Sequence, residues 1–378
     1  MSASATVPGA VIEPSRGSAG ARAVLARLGA FLDGLVVPTS AVLASAALFA
    51  VFVGLAGASP VEVYEQMYRG AFGTWFSLQN SLQRAAPLML TGLCTALPAR
   101  LGLVVIGGEG ALYVGGVAAA AVASQLTGSS PYVVLTVMGV TSMVFGALWI
   151  GGAGALRAKR GVNETISSLL LSYIGIAVCN HLIEGLLRDP QSLNKPSTLH
   201  IGEANMLGPL PGLDVHYGLL YGIVACLVCW VLMDHSVFGF SARIVGGNPR
   251  AARLSGLAVP RLLITVCALA GACAGLAGMI EVAAVHGKAN ASLAAGYGYT
   301  GILVAFLARH SPLAILPVAL VLGGISASGG LLQRTCGLPD ATVSVLQGIL
   351  FVTVLASETY RGKVDWFSRL LAPKGASA

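Results

Sequence analysis

The chain has 378 residues, of which 22 are Lys or Arg and 15 are Asp or Glu, so only 10% of it is charged and its formal net charge is +7. Hydrophobic residues make up 56% before the 49 glycines are counted, whereas a soluble domain carries about 25% charged residues. Because one water-soluble core cannot bury that much apolar surface, the composition excludes a soluble enzyme, a disordered scaffold and a coiled coil, and indicates a membrane protein.

In chain order, residues 1–34 are rich in Ala, Gly, Ser and Pro and predict a flexible tail, and residues 359–378 predict a second one. Between the two tails we predict a transmembrane domain over 35–358. Its ten apolar runs, each a candidate to cross about 30 Å of hydrocarbon, are 35–57, 85–105, 110–127, 131–153, 165–187, 217–233, 262–285, 297–308, 311–331 and 341–358. The prediction is therefore an all-α, polytopic membrane protein with about ten transmembrane helices.

Basic residues divide unevenly between the predicted loops. With both termini in the cytoplasm, sixteen of the 22 fall on the cytoplasmic side, and the six outside are Arg69, Arg84, Arg188, Lys195, Lys288 and Arg334. This bias follows the positive-inside rule. It also favours the short run 297–308 as a span, because a re-entrant segment there would turn the basic C-terminal tail outward. The orientation of the chain in the membrane therefore accounts for the net positive charge, and no nucleic-acid partner is needed to explain it.

Two outer segments are predicted to have structure of their own. Ser59 and Glu62 form a capping box around Pro60 at the first helical position, which predicts a short helix on the outer interface. The longest outer loop, 188–216, holds four prolines. It is either a contact surface for an extracytoplasmic partner or a plain connector.

The sequence offers no catalytic constellation, no cofactor motif and no metal-ligand spacing. The six histidines are scattered, and no GxxxxGK[ST] motif occurs, so any ATP-driven role requires a separate ATPase subunit. The seven cysteines form no disulfide framework. Cys226 and Cys229 match CxxC, but their apolar neighbours favour core residues.

The first polar island lies between the second and third spans. Gly107, Gly108 and Gly110 bracket Glu109 and break the helix there. Irregular backbone at membrane depth is tolerated where protein or a water-filled path receives its polar groups, and an intramembrane carboxylate is a functional candidate. We predict that this island lines the substrate path; a cytoplasmic turn with Glu109 in headgroup water is the structural alternative.

Further polar residues follow at the fifth and seventh spans. Asn163 and Glu164 suit the start of a helix, where capping accounts for them fully. Ser172 and Tyr173, one to two turns later, are polar enough to line the path, although a tyrosine facing the bundle is as often packing. Glu281 is either functional or a carboxylate near the outer interface.

A short cytoplasmic helix is predicted between the sixth and seventh spans. Asn248-Pro249 starts it and Gly256 ends it. Its small residues are flanked by basic ones and could seat in a cleft of another protein; a surface loop is the alternative. The residues predicted to make this contact are Pro249, Arg250, Ala251, Ala252 and Gly256.

Together these islands resemble the permease subunits of bacterial ABC importers, in the nucleoside and simple-sugar group of the branched-chain amino-acid permease superfamily. The resemblance covers residues 87–356. No single motif is decisive, but their order is specific: Gly102–Ala111, Gly161–Glu164, Ala251–Gly256, Gly275–Gly278 and the stretch around Leu307–Pro312. Val105, Ala111 and Ser172 stand where the family carries amides, which implies a drier path.

The resemblance implies a multi-pass subunit of the bacterial inner membrane that is not itself an enzyme. It implies a path for a small solute such as a nucleoside, nucleobase or simple sugar. Its expected partners are a cytoplasmic ABC ATPase that contacts the Pro249–Gly256 helix, a second, homologous permease chain, an extracytoplasmic binding protein and membrane lipid. The rival hypothesis is an ion-gradient-driven secondary transporter that uses Glu109 or Glu281; a membrane-embedded enzyme ranks third.

Overall fold

The computed structural model describes residues 39–126, 128–192 and 194–358. The two predicted tails, 1–34 and 359–378, lie outside these ranges. Within them the secondary structure is helical, apart from two isolated β-bridges that join Ser197 to Asn290 and Pro209 to His216. The predicted all-α class is confirmed for the described part of the chain.

The described residues form thirteen α-helices. In chain order they are α1 (Thr39–Leu55), α2 (Pro60–Phe72), α3 (Trp75–Ala99), α4 (Gly108–Gln125), α5 (Pro131–Arg160), α6 (Glu164–Glu184), α7 (Gly218–Asp234), α8 (Val237–Gly247), α9 (Pro249–Leu254), α10 (Val259–Ile280), α11 (Tyr297–Leu307), α12 (Pro312–Thr335) and α13 (Ala341–Glu358). A π-helical turn, Glu281–His286, extends α10, and 3₁₀ turns lie at Glu203–Asn205 and Ala291–Leu293.

Each of the ten predicted spans overlaps one of these helices. By length and apolar composition, four described helices are long enough to cross a membrane, or six if the sharply bent pairs α1–α2 and α7–α8 each count as one. The short run at 297–308 becomes α11, whose 11 residues rise only about 16 Å at 1.5 Å per residue. Helix α8 lies between the sixth and seventh predicted spans, in a segment for which the sequence analysis predicts no helix.

The contacts divide the chain into two compact units. In the first, the described residues are 39–48 and 349–358, which are the start of α1 and the end of α13. The second is Phe49–Gly348, and it contains every site described below. In the second unit α10 packs against α5, α4 and α3, while α12 lies against α3 and α2, and α11 lies against α3.

Glycines bring the central helices into backbone contact. A Cβ atom at Gly275 of α10 would overlap the carbonyl of Ser142 on α5, and one at Gly116 of α4 would lie 3.0 Å from the carbonyl of Gly278. Small residues at such crossings let helices pack closely where the hydrophobic effect does not drive association. The glycine content therefore serves packing between α4, α5 and α10.

Local sequence signals set the ends of several helices. Asn163 caps α6, because its side chain accepts hydrogen bonds from the N–H groups of Thr165 and Ile166. The helix α2 begins at Pro60 as predicted, but the Ser59 side chain makes no capping hydrogen bond, so the predicted capping box is wrong. Proline, which fixes a helical φ without needing a partner for an N–H, sets this start alone.

Candidate functional site

Glu109 lies in the first turn of α4 and is 1% exposed. Its Oε1 accepts a hydrogen bond from the N–H of Gly296 at 2.8 Å, and its Oε2 accepts one from the N–H of Gly298 at 2.5 Å. These N–H groups stand at the start of α11, where helices lack internal acceptors and favour negative charge. The carboxylate therefore caps α11 from inside the bundle and does not stand in headgroup water.

The glycines beside Glu109 allow this approach. A Cβ atom at Gly298 would overlap the Glu109 backbone, and one at Gly110 would overlap Ser172. At Gly107 it would lie 2.6 Å from Ile150 Cδ1, whereas at Gly108 it would meet only ordinary contacts, from 3.7 Å. The helix break predicted here exists, and its glycines hold α4 against α6 and α11.

Two serines of α6, one turn apart, complete the junction. Ser168 Oγ accepts a hydrogen bond from the N–H of Ile106 at 3.1 Å, and Ser172 Oγ accepts one from the N–H of Gly110 at 3.2 Å. Both serines are fully buried. Since the N–H groups at the start of α4 have no partner within their own helix, the serines satisfy them, and the Ser172 hydroxyl is engaged inside the protein.

Tyr173 lies on a different surface from Ser172. It is 59% exposed, and its side chain interacts with that of Tyr299 in the first turn of α11. The residues predicted to line a path therefore separate into two groups. Gly107, Gly108, Glu109, Gly110 and Ser172 form a buried junction, which we call the Glu109 junction, and Tyr173 stands on its exposed side.

A polar cavity opens beside the π-helical turn that follows α10. Its volume is about 390 Å³, within the range of small-molecule pockets of about 300–1,000 Å³. We call it the Glu281 cavity. It is lined by Asn80, Gln83, Arg84, Glu281, Val285, His286, Ser292, Ala295, Tyr297 and Ala327. Five polar or charged side chains reach it from α3 and the π turn: Asn80, Gln83, Arg84, Glu281 and His286.

Glu281 is the buried member of this cavity, at 3% exposed. Its Oε2 lies 3.7 Å from His286 Nε2, which is too far for a hydrogen bond. Among the described residues, none donates a hydrogen bond to the carboxylate, although Arg84 stands in the same cavity. A π-helical turn is a frequent mark of functional sites. The cavity therefore combines a buried carboxylate, to which no described residue donates a hydrogen bond, with a π-helical turn.

The helix α9 is the short element predicted between the sixth and seventh spans. Asn248 caps it through hydrogen bonds from the N–H groups of Arg250 and Ala251, at 3.0 and 3.1 Å. Gly256 follows with a left-handed φ of 81°. Ala252 is fully buried, while Leu254 is 91% exposed. The helix thus packs on the bundle through Ala252, and its exposed side carries two arginines and the apolar side chain of Leu254.

Arg157 and Arg253 line a second cavity, of about 420 Å³, together with Gly102, Gly161 and Pro249. Arg100 at the end of α3 forms an ion pair with Asp234 at the end of α7, with 3.2 Å between Arg100 Nη1 and Asp234 Oδ1. Arg100 Nε also donates to the carbonyl of His310 at 3.2 Å. Turns that the charge analysis assigned to one side of the membrane therefore meet in space.

Sequence reasoning missed two parts of these sites. The N–H donors to Glu109 are backbone groups at Gly296 and Gly298, which carry no side-chain signal. Asn80, Gln83 and Arg84 were assigned to the region before a span, yet they lie within α3, which begins at Trp75. Their i, i+3 and i+4 spacing places them on one helix face, and that spacing could have identified them.

A polytopic bundle with buried charged groups and polar cavities is compatible with a membrane transport protein. The family model described as "branched-chain amino acid transport system / permease component" matches residues 77–355. The chain belongs to this family.

Individual relatives match over most of their length. A glucose ABC transporter permease of Haloferax volcanii is 34% identical over 336 residues, which cover 86% of this chain and 88% of the relative. A guanosine ABC transporter permease of Bacillus subtilis is 29% identical, covering 87% of this chain and 95% of the relative. A nucleoside ABC transporter permease of Lactococcus lactis is 27% identical, covering 85% and 91%.

The chain is therefore a multi-pass permease subunit of an ABC transporter, as the sequence motifs predicted. Nothing in these similarities favours the secondary-transporter hypothesis that assigned an ion site to Glu109 or Glu281. The membership identifies the chain as a transport component.

Proposed function

We propose that this chain forms one half of the translocation path of an ABC importer for a nucleoside, nucleobase or simple sugar. Relatives that carry glucose, guanosine and nucleosides in their names support this solute class. We further propose that a separate cytoplasmic ATPase supplies the energy, that a second, homologous permease completes the path, and that an extracytoplasmic protein delivers the solute.

The geometry of α9 is the single observation that carries the ATPase contact. A capped two-turn helix seated on the bundle by Ala252, with Leu254 exposed beside Arg250 and Arg253, offers a small apolar point framed by positive charge. Such a point suits a cleft with an apolar floor and an acidic rim. We assign the contact to Pro249, Arg250, Ala251, Leu254 and Gly256, with Ala252 as the anchor.

We place the solute path on the exposed side of the Glu109 junction, beside Tyr173 and Tyr299. In this arrangement Glu109, Ser172 and the three glycines act as positioning residues, because their polar groups are already bonded inside the bundle. The tyrosine pair offers ring surface and hydroxyl groups to a passing solute. In this proposal, the polar groups that face the path are those of side chains that are not bonded inside the Glu109 junction.

The proposed orientation has both termini in the cytoplasm of a bacterial inner membrane. The charge bias of the loops supports it, and so does the meeting of Arg157 and Arg253 at one cavity. At the opposite side, Lys195 of the long loop 188–216 donates to Ser292 Oγ at 2.7 Å. That loop is fixed to the end of α10 by hydrogen bonds such as Leu207 N–H to Ala283 carbonyl, at 2.7 Å, and we propose it as the contact surface for the binding protein.

A matched pair of glycine variants tests the coupling. Gly256 and Gly337 both have left-handed φ values, of 81° and 64°, and both face open space, so Gly256→Leu and Gly337→Leu impose similar backbone strain. We expect Gly256→Leu to reach the membrane but to lose solute uptake and ATPase co-purification, because the leucine alters the end of α9. Gly337→Leu keeps both. Normal uptake by Gly256→Leu would contradict the assignment of α9 as the ATPase contact.

A further inference from the structure

The Glu281 cavity brings together side chains from segments far apart in the chain. Asn80 and Arg84 come from α3, Glu281 and His286 from the π turn, Ser292 from the following loop and Tyr297 from the start of α11. A cavity built from this many segments is shaped by the tertiary fold and not by one surface groove. Its lining combines hydrogen-bond donors, an aromatic ring and one carboxylate.

The carboxylate is the most buried polar group of the cavity. Two carboxylate oxygens have room for about four hydrogen bonds, yet no described residue donates one to Glu281. Burying a charged acceptor without donors is unfavourable. Glu109, by contrast, is equally buried and has both oxygens bonded to backbone N–H groups. The acceptor capacity of Glu281 therefore remains available to a molecule that enters the cavity.

The charge balance of the cavity favours an uncharged ligand. The one carboxylate of the lining, Glu281, is buried with His286 Nε2 3.7 Å from its Oε2, whereas Arg84 is exposed. A zwitterion would need both charges withdrawn from water at a matched separation. A neutral molecule with two adjacent donors needs only the carboxylate, which can accept both in a bidentate manner.

We infer that Glu281 is the anchoring acceptor of a solute-binding site in this cavity, and that the solute is neutral and carries two adjacent donor groups. Two chemical sources fit: the vicinal diol of a sugar or ribose, and the paired N–H groups of a purine base. Asn80, Ser292 and Tyr297 supply the surrounding polar and aromatic contacts. The inference rests on the proposed function and adds the site and the chemistry by which the solute is recognised.

Uptake by cells that express the complete transporter tests the inference. The probes are labelled guanosine, glucose, 2′,3′-dideoxyguanosine, 1-methylguanosine and leucine. The variants are Glu281→Gln and, as a matched control, Glu184→Gln, which changes an exposed glutamate outside the cavity. We expect Glu281→Gln to raise the KM for the transported probe about ten- to hundredfold, as loss of a hydrogen-bonded charge predicts, while Glu184→Gln has the wild-type KM.

The analogues separate the two sources. If the diol binds Glu281, the wild-type transporter discriminates against 2′,3′-dideoxyguanosine and the Gln variant loses that discrimination. If the base binds, the same holds for 1-methylguanosine. An unchanged KM in a Glu281→Gln protein that reaches the membrane overturns the site and leaves the proposed function standing.

Two other results are also decisive. Uptake of leucine alone, lost in Glu281→Gln, identifies a zwitterion and overturns the inference together with the proposed solute class. Uptake of none of the probes by the wild-type transporter overturns the proposed function and the inference with it. Should Glu281→Gln fail to reach the membrane, Glu281→Asp decides: a KM raised at least about threefold supports the site, and an unchanged KM overturns it.

Discussion

Replacing Glu109 with Gln separates a structural role of this carboxylate from a role in contact with solute. The native side chain accepts the N–H of Gly296 at 2.8 Å and the N–H of Gly298 at 2.5 Å. A glutamine amide has one oxygen, so it can accept only one of these bonds, and its NH₂ group then faces the other N–H. The start of α11 loses a charge-assisted bond and gains a buried donor without a partner.

The expected loss of stability follows from these two changes. One charge-assisted hydrogen bond and one unsatisfied buried N–H together amount to about 2–4 kcal/mol, once the relief of burying a charge is allowed for. At about 2 °C per kcal/mol for a large chain, the midpoint of thermal unfolding falls by about 4–8 °C. The measurement is a thermal melt of the purified protein in one detergent, beside wild-type protein and the exposed control Glu184→Gln.

The thermal stability and the transport activity of Glu109→Gln together distinguish the two roles of this carboxylate. If Glu109→Gln melts with the wild-type protein and yet transports poorly, the carboxylate acts on the solute and not as a cap for α11. If it melts early and transports normally at a permissive temperature, the junction is structural. A melt of Glu184→Gln that shifts as far as that of Glu109→Gln would show that the loss is unrelated to the two hydrogen bonds.

Two further predictions concern contacts between helices. Gly275→Ala forces α5 and α10 apart, because the added Cβ overlaps the Ser142 carbonyl, so the yield of folded protein in the membrane falls sharply; Gly152→Ala on α5, where a Cβ meets nothing within 4 Å, keeps the wild-type yield, and equal yields would contradict the packing. Arg100 and Asp234, about three-quarters buried and 3.2 Å apart, form a double-mutant cycle in which the two alanine variants are non-additive by about 1 kcal/mol in unfolding free energy; strict additivity would mean that the ion pair contributes nothing.

Local sequence patterns were sufficient for the elements that depend on neighbouring residues. Apolar runs located helices for all ten predicted spans, and Asn163, Asn248 and Gly256 correctly predicted where α6 and α9 begin or end, because caps act within one turn. Hydropathy alone, by contrast, places the start of the second span at residue 85, whereas α3 begins at Trp75. The polar residues after Trp75 belong to α3 because tertiary contacts stabilise a polar helix face beside the Glu281 cavity.

The rest depended on contacts that no local pattern encodes. The donors to Glu109 lie at Gly296 and Gly298, almost two hundred positions further along the chain, and are backbone groups that any residue type possesses. The Glu281 cavity likewise needs α3 and the π turn to meet. Helix α8 lies outside the predicted spans, and Val237–Gly247 packs beside α7.

The glycine crossings of α10 with α4 and α5 have a mechanical consequence. At Gly275 and Gly278 the main chains touch without intervening side chains, so there is no layer of rotatable groups that could let one helix slide along another. We therefore expect these three helices to move together. We expect a change between inward-open and outward-open shapes to take place at other helix contacts, where larger side chains separate the helices and different rotamers can accommodate different spacings.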